Sequence, residues 1–151
     1  MARATANASG LDAIETADDK SKKKVSRTLL EQYITIFDLK RLESYAKNLV
    51  DFHLIMDLVP TLAKLYFLIL PEGAVSLSYV QAATLTGMGL QFKTIDQLTR
   101  ELNLQANQLL PLFNKAIRKF TRFIKEVFEY EITQEVNRDE ADAINQLSTV
   151  A

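Results

Sequence analysis

The sequence predicts an all-α protein, namely a helical bundle that contains a helix-turn-helix-like pair, with a disordered N-terminal tail and an acidic C-terminal tail. Three observations support this prediction. The 151 residues include only four glycines and three prolines, the residues that most disfavour helices. Hydrophobic residues make up 48% of the chain, enough for a core. Apolar side chains also recur at helical spacing in several segments. We expect one helical domain over residues 31–132, preceded by a basic linker over 1–30 and followed by an acidic tail over 133–151.

The N-terminal segment, up to about Arg27, contains few large apolar side chains, so we expect it to be disordered. Its basic run over residues 21–27 is either a soluble linker, a contact for nucleic acid or part of a nuclear import signal. Ordered structure should begin between Leu29 and Asp38, with Asp38 as a helix N-cap. The apolar stripe behind it reaches His53, the single histidine of the sequence, which on such a stripe is more typical of a core residue than of a catalyst.

The next segment, Phe52–Leu70, is apolar on nearly all sides and predicts a buried helix at the centre of the core. Pro60 either kinks this helix or opens a second one. Ser76 or Ser78 should then cap a helix that ends at residues 87–89, Gly-Met-Gly, where a glycine would adopt the left-handed C-cap conformation. This Gly-x-Gly does not follow a strand and lacks a third glycine, so a dinucleotide loop is not indicated.

Residues 94–128 form the segment around which the chain is organised: a short helix, a tight turn and a long helix. Thr94 and Gln97 have the spacing of a capping box at the start of the short helix. The long helix should start at Asn107 or Gln108, with Pro111 in its first turn or just beyond it. This outline is that of a helix-turn-helix, although helical hairpins without any nucleic acid ligand share it.

The predicted long helix has two chemically different faces. At about 100° per residue, one broad stripe is apolar and comprises Leu109, Leu110, Phe113, Ala116, Ile117, Phe120, Ile124, Val127 and Phe128. The opposite side carries five cations, Lys115, Arg118, Lys119, Arg122 and Lys125, and no acidic residue occurs from Pro111 to Lys125. A positive band of this kind can neutralise phosphates along a nucleic acid backbone. A solvated outer face without a ligand is the alternative, since most basic helix faces have none.

Charge and motifs exclude several other classes of function. The formal net charge is −1, but the segment after Lys125 is strongly acidic. The sequence has no cysteine, hence no disulfide and no thiolate metal site. The longest apolar run is too short to span a bilayer, so we expect no membrane association. The sequence contains no phosphate-binding loop, nucleophile elbow or metal-binding histidine pair, so we predict no catalytic residue, no metal and no cofactor in this chain.

Residues 38–60 and 77–120 resemble the C-terminal region of eukaryotic RNA cytidine acetyltransferases. The most distinctive pieces are Leu-Glu-Ser-Tyr at 42–45, Val-Asp-Phe-His at 50–53, Gly-Met-Gly-Leu-Gln at 87–91 and Leu-Phe-Asn-Lys at 112–115. The resemblance implies the RNA-binding part of an enzyme that places N4-acetyl groups on cytidines of small-subunit ribosomal RNA and certain transfer RNAs. Such enzymes use acetyl-CoA and ATP, work in the nucleolus of the nucleus and take part in small-subunit assembly. Their ATP-binding and acetyl-CoA-binding loops have no counterpart here, so the resemblance implies no catalytic residue.

These observations lead to two main hypotheses. The first is an RNA-binding module whose partners are precursor ribosomal RNA, transfer RNA and the rest of an acetyltransferase. The five cations would bind phosphates, Asn114 would add a polar contact, and Lys93 and residues 22–24 would extend the footprint. The second is a helical protein–protein or homodimer module, in which the basic band meets acidic protein or the chain's own acidic tail. A third hypothesis, a DNA-reading helix-turn-helix, is disfavoured because the band offers few base-reading side chains.

Overall fold

The computed structural model describes residues 25–150, and within this range it contains helices and no strand. The all-α prediction is therefore confirmed. Most of the predicted disordered segment, including residues 22–24, lies outside the described residues. The α-helices of residues 25–150 are α1 (Arg27–Glu31), α2 (Ile36–Ala46), α3 (Val59–Lys64), α4 (Tyr79–Gly89), α5 (Ile95–Leu102) and α6 (Ala106–Thr149). Two single turns of 3₁₀-helix, Phe52–Leu54 and Met56–Leu58, precede α3, and a π-helical turn, Leu65–Ile69, follows it.

The long helix α6 is the element on which the others assemble. It packs against α1, α2, α4 and α5, while α3 reaches it through α4 and the core side chains. Its inward side chains Phe113 and Phe120 are almost completely buried, and they join Leu42 of α2 and Leu62 of α3 in one core cluster. The predicted apolar stripe of this helix is thus the core-facing stripe. Pro60 is the second residue of α3, so it opens a helix rather than kinking one.

Helix starts follow the predicted capping chemistry with one exception. Ser78 caps α4 and Thr94 caps α5, each in a capping box with a glutamine three residues later. The prediction that Asp38 caps α2 is wrong, because Thr35 is the N-cap. Thr35 Oγ1 accepts from Asp38 N at 3.1 Å and Asp38 Oδ2 accepts from Thr35 N at 3.0 Å. Asp38 is therefore the third residue of the helix and the second half of a capping box.

The two glycines at 87–89 do not form a left-handed C-cap, in contrast to the prediction. Both lie within α4 and are buried, and neither has a positive φ. A Cβ on Gly89 would lie 2.8 Å from Ala63 Cβ and 3.0 Å from the Val59 carbonyl oxygen. The absence of a side chain therefore lets α3 and α4 approach closely. The left-handed C-cap is found on α5 instead, at Asn103 with φ 53°.

Regular structure extends further toward both ends of the chain than expected. Val25 is already buried and α1 starts at Arg27, before the predicted interval. At the other end, α6 continues through most of the acidic tail to Thr149, but residues 132–150 are exposed. Glu131 still contacts the body, because its Oε1 accepts from Arg27 N at 2.8 Å. Within residues 25–150 no helix combines the length and the apolar character needed to cross a bilayer.

Arg41 joins α2 to the turn before α3. Its Nη1 and Nη2 donate to the two carboxylate oxygens of Asp57 at 2.8 and 2.9 Å, and Nη2 also donates to Asp38 Oδ1 at 2.9 Å. These charge-assisted bonds stabilise the ionised carboxylates. The hydrogen bond from Arg41 accordingly holds the pKa of Asp57 below its usual value.

Candidate nucleic-acid interface

The five predicted cations of α6 lie together on one exposed face of the structure. Lys115, Arg118, Lys119, Arg122 and Lys125, hereafter the basic face, are all classed as exposed, whereas the apolar residues on the other side are buried except for the half-buried Leu110. At 100° per residue the basic face occupies a sector of about 120°. Burial of the opposite stripe fixes the rotation of the helix, so the cations have no alternative but to face outward.

Two cations of the basic face are held by carbonyl oxygens of neighbouring elements. Arg118 Nε donates to the Ala46 carbonyl at 3.1 Å, at the C-terminal end of α2, where a cation also complements the helix dipole. Lys119 Nζ donates to the Ser76 carbonyl at 2.6 Å and to Gln81 Oε1 at 3.3 Å. These contacts neutralise neither charge, so both side chains are positioned and remain cationic.

The other three cations are less restrained. Lys125 Nζ is 4.0 Å from Glu129 Oε1, one turn along the same helix. Lys115 and Arg122 form no ion pair within residues 25–150. Arg122 and Lys119 line a cleft of about 350 Å³ between α6 and the loop at residues 73–76. The basic face thus offers two unpaired cations beside two positioned ones.

The acidic tail does not fold back over the basic face. Because residues 133–149 continue α6 as a helix, they extend along its axis and away from residues 115–125. The helix has 44 residues and, at 1.5 Å per residue, a length of about 66 Å. Positive charge occupies its middle and negative charge its outer end. Within the described part of the chain, the basic face is therefore open to solvent.

The two remaining predicted site residues are not part of the basic face. Asn114 is half-buried and lines a cleft of about 190 Å³ with Tyr45 and Phe52. Lys93 pairs with Glu101, with Nζ 2.6 Å from Oε2, and lines a different cleft of about 410 Å³. Phe52 lines both clefts, so it separates the two predicted residues.

The segment at residues 51–53 is a feature that the sequence prediction missed. His53 is not a core residue, because its side chain is 73% exposed, and the prediction of a buried imidazole is wrong. The regular helical stripe stops at Ala46, and His53 lies instead in a 3₁₀ turn. Asp51 Oδ1 accepts from Phe52 N, and its Oδ2 lies 2.7 Å from His53 Nδ1. These hydrogen bonds, above all the one with His53, lower the pKa of Asp51. The sequence signal was an Asp two residues before a His, which is weak by itself.

Tyr45 links this segment to the basic face. Its ring packs edge-on against Phe113, with centroids 6.1 Å apart. Burial raises the pKa of the Tyr45 phenol to about 12, the Asp51 charge adds to the effect, and the charge of Arg118 opposes it. Tyr45 therefore stays protonated and lies within electrostatic range of both charges.

The site contains no arrangement typical of a metal centre. Over the described residues, no group of three or more histidine, cysteine or carboxylate side chains is placed to bind an ion. What the geometry offers is a row of outward cations, adjacent clefts and exposed aromatic rings. Such a surface suits the binding of a polyanion.

Comparison with known proteins agrees with the resemblance seen in the sequence. Residues 6–150 match the model of a family described as "Possible tRNA binding domain". The chain is 46% identical over 112 residues to the RNA cytidine acetyltransferases of Homo sapiens and Mus musculus, covering 74% of this chain and 11% of each relative. It is 39% identical over 137 residues to the enzyme of Saccharomyces cerevisiae, covering 89% of this chain and 13% of that protein. The chain thus spans about a tenth of the length of these relatives. It belongs to the possible tRNA binding domain family, in the form found within RNA cytidine acetyltransferases.

Proposed function

We propose that this chain is an RNA-binding module that holds the phosphate backbone on the basic face of α6. The observation that carries the proposal is the outward row of five cations on a helix whose other face is fixed in the core. Each lysine or arginine that meets a phosphate releases condensed counterions, which is the main source of sequence-independent affinity for nucleic acids. Phosphate contacts position an RNA without reading its sequence.

The family and the relatives support a more specific proposal. The module is the C-terminal part of an RNA cytidine N4-acetyltransferase that acts on small-subunit ribosomal RNA and transfer RNA, in the nucleolus, during small-subunit biogenesis. In that setting the rest of the enzyme supplies the chemistry with acetyl-CoA and ATP, and this module presents the RNA. The names of the relatives support the assignment to an RNA cytidine acetyltransferase, and the family description supports transfer RNA as a ligand.

The proposal predicts which amides of the module respond to RNA. In a titration of the isotope-labelled 151-residue chain with transfer RNA, followed by NMR, amide shifts should concentrate in residues 114–125 and in the neighbouring loop at 73–76. Residues 132–150 should change little, because their acidic side chains repel phosphates. Perturbation of the outer end without the basic face would contradict the proposal.

A second candidate function is protein–protein association through the outer end of α6. Four of the five exposed large apolar side chains there, 47–86% accessible, lie within a narrow sector of about 60°, namely Ile132, Val136, Leu147 and the C-cap residue Val150, while Ile144 lies about 60° outside it. An exposed apolar stripe on a helix is typical of a surface that packs against another helix. Sedimentation of the wild-type chain and of a Val136→Glu/Leu147→Glu variant tests this candidate, since self-association through the stripe would be lost in the variant while RNA affinity stayed unchanged.

A further inference from the structure

The Phe52–His53 pair forms an aromatic platform at the edge of the molecule. The two rings are stacked, with centroids 4.1 Å apart and planes inclined by 30°. Phe52 is half-buried and packs on the core, whereas the His53 side chain is 73% exposed. The imidazole therefore rests on an anchored phenyl ring and has open surface of its own.

Asp51 fixes this platform in place. One of its carboxylate oxygens accepts from Phe52 N at 2.7 Å and the other lies 2.7 Å from His53 Nδ1. A ring that is held at its backbone and at one nitrogen loses little conformational freedom when a ligand stacks on it. The negative charge of Asp51 repels a phosphate at this point, but it does not repel the flat face of a neutral nucleobase.

The platform opens onto a cleft of suitable size and chemistry. Its volume is about 410 Å³, within the range of small-molecule sites. Apolar walls come from Met56, Met88 and Ile95, and polar groups at the edge come from Lys93, Thr94 and Asp96. Apolar walls with a polar edge match a nucleobase, which has apolar faces and a hydrogen-bonding rim.

Phe52 lies between this cleft and a smaller cleft that borders α6. The smaller cleft contains Asn114, the residue before Lys115 of the basic face. A second exposed ring is near in sequence: Phe92, 78% accessible, precedes Lys93 and has φ 53°, a left-handed conformation that is uncommon for a bulky residue. Exposed aromatic rings beside a cationic track are the usual arrangement for single-stranded RNA.

We propose that this cleft binds one unpaired nucleobase, stacked on His53, from the RNA whose phosphates lie on the basic face. The proposal rests on the proposed function and deepens it, because it assigns the module a preference for RNA with an unpaired base over fully paired RNA. Stacking on an aromatic ring tolerates any base, so the preference concerns base pairing and not sequence.

The test uses the full chain with His53→Ala, His53→Phe and, as a matched loss of an exposed ring elsewhere, Phe37→Ala. The probes are a single-stranded RNA and a blunt-ended, fully paired RNA duplex, each carrying a fluorescent purine analogue. We expect His53→Ala to weaken binding of the single strand by roughly five-fold to a hundred-fold and to abolish the quenching of the analogue. Duplex affinity should stay unchanged, His53→Phe should retain both properties, and Phe37→Ala should behave as wild type.

Three results would overturn the proposal. Equal single-strand affinity of His53→Ala and wild type would show that the cleft holds something else, such as an apolar peptide. Equal losses in His53→Ala and His53→Phe would show that the imidazole acts by its nitrogens and not by stacking. Failure of the wild-type chain to bind either RNA would remove the proposed function as well, whereas RNA binding that depends on the basic face but not on His53 would remove only this inference.

Discussion

Lys115 and Arg122 give the sharpest test of the basic face. They are seven residues apart, so they point in nearly the same direction and their Cα atoms are separated by about 10 Å along the axis. Because the two side chains leave the helix this far apart, we assign them to two separate phosphates. Neither residue forms an ion pair within the described range or holds a neighbouring carbonyl, so replacing both with glutamine should leave the fold intact.

The expected loss follows from counterion release. For single-stranded nucleic acid, the affinity varies with salt concentration to a power of about −0.7 for each neutralised phosphate. Loss of two contacts should therefore reduce the slope of log affinity against log salt by about 1.4. The contribution of counterion release to the affinity vanishes at 1 M salt. At 0.1 M salt, the Lys115→Gln/Arg122→Gln variant should therefore bind about 25-fold more weakly than the wild-type chain.

The assay is fluorescence anisotropy of a labelled single-stranded RNA, measured at several salt concentrations. Lys40→Gln/Lys64→Gln is the matched control, because it removes the same charge from exposed lysines of α2 and α3. Those lysines lie over Phe37 and Tyr33 at 5.9 and 5.6 Å. If the two double variants have the same slope, only net charge matters and the assignment of phosphates to the basic face is refuted.

Three further predictions concern the fold and its charges. Gly89→Ala should lower the free energy of unfolding in urea by about 1–3 kcal/mol, because the new Cβ would clash with Ala63. Since Arg41 lowers the pKa of Asp57, their pair stabilises the protein above the unfolded pKa of about 3.9, and this contribution is lost as pH falls through the lower folded value. Arg41→Gln should therefore cost about 0.5–1 kcal/mol at pH 7 and flatten the fall of stability in acid-titrated urea melts. Deletion of residues 133–151 should change stability by less than about 0.5 kcal/mol, and it should raise RNA affinity in the anisotropy assay by removing like charge. Weaker binding after the deletion would contradict the view that the outer end only repels RNA.

The sequence was sufficient to predict the helix that carries the site. Apolar residues such as Phe113 and Phe120 recur at helical spacing without interruption, and burial of one face necessarily directs Lys115 and Arg122 outward. The capping box at Thr94 was also predictable, because it depends on residues three positions apart, whereas the cap of α4 was narrowed only to Ser76 or Ser78. Local patterns of this kind need no knowledge of the rest of the fold.

The parts that could not be predicted depend on contacts between distant segments. Gly89 lacks a side chain because α3 packs closely against it, and not because it ends a helix. The presence of a glycine in the sequence does not distinguish close helix packing from a helix C-cap. In the sequence, His53 continues the apolar spacing of α2. In the structure, α2 ends at Ala46 and His53 lies in a 3₁₀ turn. The outer half of α6 has too few apolar residues to indicate a packed helix, yet it continues because an existing helix extends more readily than a new one nucleates.

The reversal of charge along α6 has a consequence for how an RNA can move on the module. From Lys125 to Glu129 the axis advances about 6 Å, which is less than the screening length of about 8 Å at physiological ionic strength. A polyanion that slides outward along the helix therefore passes from attraction to repulsion within one screening length. The outer end therefore opposes outward movement of a strand bound on the basic face.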